Sequence, residues 1–220
     1  MSLLTNEILN DYDFNEARTL VSLIKTLNSS GHNPATSGNY SIRSQKLSDV
    51  ALVSESGIDK SVFQDSNLLP VVVNNGKLYS EIEAGRKSSD ETGIHLAIYQ
   101  ATDAKCVLHS HLLESILFAD LFQDHDRIPM TGLELLKGLK GVKTHEAEVY
   151  IPVLANSQDI GTFSENVKLV LAKEDVFTKA LLIRGHGFYV WGSSVKEAKR
   201  HLEVFEYLFK YFVERKRLSL

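Results

Sequence analysis

The 220-residue chain has a single cysteine, only four prolines and no excess of basic residues. With Cys106 alone no intrachain disulfide can form, which fits a reducing cytoplasm. Its place inside the apolar CVL favours a buried, inert thiol over a nucleophile. No proline-rich linker, internal repeat or low-complexity tract divides the chain. Apolar runs are short: none reaches the roughly 20 residues that a membrane span needs. The opening MSLLTNEILNDYD lacks the positive-then-apolar pattern of a secretion signal. A formal charge of −4 leaves no basic stripe for nucleic acid, and the basic ERKRL near the end reads as a solvated helix terminus. These features predict one domain over residues 1–220, cytoplasmic, with neither nucleic acid nor membrane as a partner.

What the chain does have is a succession of short periodic segments. DFNEARTLVSLIKTLNSSG opens on Asp13 as N-cap, with Glu16 three residues on in a capping-box pattern. Apolar residues at Phe14, Ala17, Val21 and Ile24 then keep helical spacing, and Gly31 closes the segment. Strands are predicted at NYSIR, VALVS and LPVVV, with 74–76 as a hairpin turn into KLYS. A helix over DETGIHLAIYQAT leads into the strand KCVLHSH and a second helix over 112–121. GLELLKGL reads as a short helix, EVYIPVL as a strand, SQDIGTFSENVKLVLAK as a helix, and KALLIRG and FYVWG as strands. The last segment, SSVKEAKRHLEVFEYLFKYFVERKR, is a long amphipathic helix capped by Ser193 or Ser194. Without a βαβ rhythm, this order predicts a mixed, largely antiparallel sheet with helices on its faces.

The histidines carry the first chemical signal. Side chains alternate along a strand, so His109 and His111 of CVLHSH point to one side of a sheet. They could share a metal ion or form a polar strand end. His186, between glycines in RGHG, is a third candidate ligand, and three histidines would make the open, catalytic type of zinc site. His95 and His201 lie on helices, where packing or capping suits them; His32, His125 and His145 are expected to be solvated.

Two carboxylates stand out. Glu91 begins the helix before the H-x-H strand, where an acid suits the helix dipole. Glu134, flanked by leucines, is expected to be partly buried with a raised pKa that suits proton transfer; the alternative places it on a wet face. Small-residue clusters offer anion sites: Ser37, Gly38 and Asn39 in TSGNYS, Ser56 and Gly57 in SESG, and Ser89 in KSS, with Lys60 adding charge. Each cluster alone is also an ordinary turn.

Taken in order, SGNYS, ESG, SSDETGIHLAIY, VLHSH and RGHG resemble the class II (zinc-dependent) aldolase and adducin family, from about Thr36 to the last helix. The resemblance implies an α/β/α fold around a mainly antiparallel sheet and a homotetramer acting on a sugar phosphate. It assigns one zinc ion per subunit to His109, His111 and His186, and the substrate phosphate to Ser37, Gly38, Asn39, Ser56, Gly57 and Ser89. Glu134 matches the acid/base glutamate of the family's dehydratases, and Glu91 the catalytic glutamate of its aldolases. The TGLELLKGL segment favours dehydration in methionine salvage; aldol cleavage or epimerisation of another sugar phosphate is the alternative.

Overall fold

The computed structural model describes residues 7–79, 85–175 and 177–218. Asn10 starts the first helix, α1 (Asp11–Ser29): its side chain accepts from the Asp13 N–H, and the Asp13 carboxylate takes the Asn10 N–H in return. The capping box therefore lies three residues before the predicted one. Asp13 is buried in that role because its carboxylate also accepts from the backbone of Gln45 and Lys46.

The remaining elements are β1 (Asn39–Arg43), β2 (Val50–Ser54), β3 (Leu68–Val72), α2 (Thr92–Ala101), β4 (Cys106–Ser110), α3 (Leu113–Leu121) and β5 (Arg127–Met130). They continue with β6 (Val149–Leu154), α4 (Ile160–Leu171), β7 (Ala180–Ile183), β8 (Gly187–Gly192) and α5 (Val195–Arg217). Of the two candidate caps for α5, Ser194 accepts from the Glu197 N–H.

The strands form one sheet in the order β3-β2-β1-β4-β8-β7-β6-β5, antiparallel throughout except between β6 and β7. Strand β5 was not predicted from the sequence, because Pro129 interrupts a four-residue run. It is tolerated there because β5 is an edge strand, as is β3 with Pro70, and an edge proline leaves no ladder bond unmade. Among the described residues the 74–76 turn closes on one bridge, Val71 to Leu78, where a strand was predicted; its Ser80 lies outside the described residues.

Alternation along the strands splits the core in two. Cys106, Leu108, Phe188 and Val190 face α1, α3 and α5, packing among Leu20, Phe118 and Phe205. Val107, Leu181, Tyr189 and Trp191 face α2 and α4, among Ile94, Ile98 and Phe163. The result is the three-layered α/β/α arrangement. Cys106 is unpaired and buried, and burial pushes its thiol pKa up. Among the described residues no helix is long and apolar enough to cross a membrane.

The sheet register matters most for function. Asn39 on β1 pairs with His109 on β4, and His109 pairs with Tyr189 on β8. These three therefore stand in one row on the α2/α4 face, at the parity of Val107.

Candidate active site

His109, His111, His186 and Glu91 come together where β4 ends and β8 begins, with one ligand atom of each lying within 4.8 Å of all the others. Strand β4 delivers His109, and His111 follows just past its end. His186 sits on the turn between β7 and β8, and Glu91 immediately precedes α2. Gly187 lets β8 approach: a Cβ there would overlap the Ser110 carbonyl, so only glycine permits the contact.

Hydrogen bonds at the far side of two rings fix what they present inward. His109 Nδ1 donates to the Phe188 carbonyl at 3.0 Å, and His186 Nδ1 to Asn156 Oδ1 at 3.3 Å. Both Nε2 atoms therefore carry lone pairs, yet they face each other at 3.3 Å. Glu91 adds its carboxylate, Oε1 2.8 Å from His186 Nε2 and Oε2 3.3 Å from His109 Nε2. Two lone pairs and an anion converging on one point call for a cation. Ligand nitrogens about 2.05 Å from a tetrahedral zinc would stand about 3.3 Å apart, so the donor set fits such an ion.

Charge states agree with that reading. Burial pushes His109 down to about 3, with the neighbouring imidazoles adding to the effect. Burial also lowers His111. For Glu91 burial opposes the charge, but the flanking His186 and His109 rings and the Asn39 amide outweigh it and hold the carboxyl well below its usual range. The site thus offers the neutral imidazoles of His109 and His111 beside an anionic carboxylate.

These buried imidazoles tie stability to pH. His109 at about 3 and His95 at about 4 both lie below the free value of 6.5, in each case through burial. The unfolded chain takes up two protons that the folded chain refuses, so stability is present above pH 6.5 and is lost as pH falls towards about 4. The slope approaches about 2.7 kcal/mol per pH unit for two such groups. Urea midpoints of chelator-treated protein at pH 7 and pH 5 check this: a marked drop at pH 5 is expected, and equal midpoints would contradict it.

Beside the cluster lies a cavity of about 250 Å³ that His111 and Glu91 share with the small-residue clusters. Ser37, Gly38 and Asn39 line one side, Ser56 and Gly57 another, and Ser89 and Lys60 a third, with Thr36, Ser54 and the carboxylates of Glu55 and Asp90 also in its wall. Backbone bonds from Ser56 N–H to the Lys87 carbonyl (2.9 Å) and from Ser89 N–H to the Ser54 carbonyl (3.1 Å) join two of the segments. Ala35 and Thr36, at φ 53° and 65°, hold left-handed backbone at its lip, a strained conformation for side-chain-bearing residues. The buried Ser37 hydroxyl has no partner among the described residues. Lys60 is buried, its Nζ donating to the carbonyls of Thr36 (3.2 Å) and Ile58 (3.0 Å). An ammonium has three N–H groups, so one remains for an anion in the cavity.

Three sequence expectations need correction. Of the two readings of Glu134 the wet face holds and the partly buried one does not: its side chain is 73% exposed, and it bonds Lys137 at 2.6 Å with His145 at 3.7 Å. Lys137 holds its pKa below the usual value, not above it. The reason is local: the segment is a short 3-10 helix, Glu134–Gly138, whose buried residue is Leu136. Glu134 also follows β5 at the sheet edge, four strands from β4, roughly 19 Å away at about 4.8 Å per strand. Asn39, expected on phosphate, lines the cavity but directs its amide to Glu91 and His95. His32 is buried, not solvated, with Nδ1 3.1 Å from the Ser110 hydroxyl.

His201 is a satisfied core histidine, donating to the Trp191 carbonyl and accepting from the Lys140 N–H. His125 and His145 are exposed. Sequence reasoning missed Tyr189, whose hydroxyl reaches Glu91, and Asn156 behind His186. Their roles depend on strand register and loop placement, which no local pattern records.

Comparison with known proteins adds a separate line. The family model described as the class II aldolase and adducin N-terminal domain matches residues 18–213. Over 201 residues the chain is 36% identical to a methylthioribulose-1-phosphate dehydratase of Picosynechococcus sp., covering 91% of this chain and 92% of that one. A protein of the same name from Yersinia enterocolitica is 37% identical over 188 residues, covering 84% and 85%. In structure the chain is similar to L-fuculose-1-phosphate aldolase from Thermus thermophilus, with TM-score 0.68 at 23% identity over 93% of this chain and 97% of that one.

Proposed function

The chain belongs to the class II aldolase and adducin family, and we propose that it is a methylthioribulose-1-phosphate dehydratase, a hydro-lyase. It converts 5-methylthioribulose-1-phosphate into 2,3-diketo-5-methylthiopentyl-1-phosphate and water. The observation that carries this reading is identity of 36–37% to two dehydratases over most of the chain, joined to a four-donor cluster opening on an anion-suited cavity.

His109, His111 and His186 would hold one zinc ion per subunit, with Glu91 as a fourth donor. When bound, the ion supplies Lewis-acid polarisation of the ketose carbonyl at C2, which eases loss of the C3 proton. The chain's own groups do the rest. Lys60 and the Ser37, Ser56 and Ser89 hydroxyls, with the backbone at Gly38 and Gly57, hold the phosphate and so place C2 to C4 beside the histidines. Glu134, held as a carboxylate by Lys137, is the candidate to take the C3 proton and return it to the C4 hydroxyl, which leaves as water. The resulting enol tautomerises to the 2,3-diketone.

Because Glu134 lies four strands from β4, it acts at a neighbouring chain's histidines. A homotetramer provides that neighbour. Apolar surface suits such contacts: Leu113, Leu117 and Leu121 line the outer face of α3, and Tyr207 on α5 is 54% exposed. A groove of about 570 Å³ runs beside Tyr207 and Tyr211. The reaction belongs to methionine salvage, in the cytoplasm, where a lone thiol stays reduced.

Removing the Lys60 charge tests the phosphate assignment. Lys60→Met keeps the aliphatic stem and is expected to raise KM by about 10-fold or more with little change in kcat, since a charge-assisted hydrogen bond is worth about 1.5–3 kcal/mol. An unchanged KM would remove Lys60 from the phosphate site.

A second reading, aldol cleavage, is favoured by the placement of Glu91 inside the donor cluster. A panel of ketose phosphates separates the two. Loss of water from the methylthio pentulose alone supports the dehydratase, whereas cleavage of another ketose phosphate into two carbonyl fragments supports the aldolase.

A further inference from the structure

The row Asn39, His109 and Tyr189 lies beneath the start of α2. Glu91 stands over that row, and His95 follows one helical turn later on the same face. Asn39, Ser41, His95, Tyr99 and Tyr189 are all buried, so every polar group among them needs a partner.

The direction of each hydrogen bond follows from the acceptor at the end of the chain. A carboxylate only accepts, so Asn39 turns its N–H towards Glu91 Oε2 and its carbonyl towards His95. That carbonyl also only accepts, so His95 Nε2 carries the ring proton. His95 Nδ1 then accepts from the Ser41 hydroxyl at 2.7 Å, and Ser41 in turn accepts from the Tyr99 hydroxyl at 2.7 Å. Tyr99, Ser41, His95 and Asn39 therefore donate in one direction, ending on Glu91. Tyr189 brings a second donor to the same oxygen at 2.9 Å. With Oε2 occupied by two donors, Oε1 is the oxygen aimed at His186 Nε2.

We propose that Tyr189, together with the buried relay through Asn39, His95, Ser41 and Tyr99, is a positioning residue. It clamps Glu91 Oε2 so that Oε1 is held as the fourth donor to the metal. The inference rests on the metal reading of the site and not on the identity of the substrate. The Tyr189 ring stacks on His109 with centroids 4.1 Å apart and planes 13° from parallel. Tyr189→Phe therefore deletes the clamp and keeps the packing.

The test measures metal binding by competition with a chromophoric chelator, together with the d–d absorption of the cobalt(II)-loaded protein. Tyr189→Phe is expected to weaken metal binding about 10- to 100-fold, the range for lost outer-shell partners, and to shift the cobalt spectrum. The thermal midpoint of the metal-free protein should stay close to that of the unsubstituted chain. The double variant Tyr189→Phe/Glu91→Gln should bind no more weakly than Glu91→Gln alone, since both act through one carboxylate. Unchanged affinity and spectrum in Tyr189→Phe would overturn the proposal. So would full additivity in the double variant, which would place the effect outside Glu91. An unsubstituted chain that takes up no divalent ion would overturn this inference along with the metal reading. A chain that binds metal but leaves the pentulose intact refutes the dehydratase reading alone.

Discussion

His111→Ala is expected to lose metal and turnover together while the fold survives. His111 sits past the end of β4, half-buried, with its ring edge-on to His109 and His186 at centroid distances of 4.7 and 4.8 Å. It belongs to neither hydrophobic core, so alanine there opens no apolar cavity. What is lost is one of three imidazoles that would bind the ion directly, and the cost in affinity should exceed the ~10- to 100-fold typical of outer-shell groups. Metal content after gel filtration, beside the thermal midpoint in chelator, checks both halves. A variant that kept a full equivalent of zinc would remove His111 from the ligand set.

Glu134→Gln is expected to do the opposite: full metal content, unchanged stability, and kcat reduced by about 10²- to 10⁴-fold, the usual worth of a general acid or base. The carboxylate is exposed and, among the described residues, joined only to Lys137 and His145, so the fold does not depend on it. Its distance from β4 along the sheet makes a sharper expectation possible. If the acid of one chain serves the histidines of its neighbour, His111→Ala and Glu134→Gln chains are inactive alone but recover activity when refolded together. Each mixed contact then holds one intact set. Full activity of Glu134→Gln alone would end its acid/base role, and mixtures that stay inactive would end its action across chains.

These two residues also show what the sequence made legible. His109 and His111 could be placed on one face because side-chain alternation is a property of any strand, and the glycines around His186 announced a turn. The three-layered fold was readable from periodicity joined to the family resemblance. Burial of a single residue on a short segment was not. Glu134 between leucines suggests a half-buried acid only if the segment is α-helical, and a 3-10 turn points it outward. Strand β5 went unread because Pro129 is acceptable only at a sheet edge, and strand order is not a local property. The same limit hid the row of Asn39, His109 and Tyr189. Asn39 looked like a phosphate ligand in SGNYS, and only the register showed its amide turned to Glu91. Alternation says which face a residue takes, whereas register says what it meets there.

The most direct test of the dehydratase reading is to incubate zinc-loaded protein with 5-methylthioribulose-1-phosphate and follow the mass of the products. Loss of one water, blocked by a chelator and restored by added zinc, is the expected result. Substrate left intact by zinc-bound protein, or split into two carbonyl fragments, would contradict it.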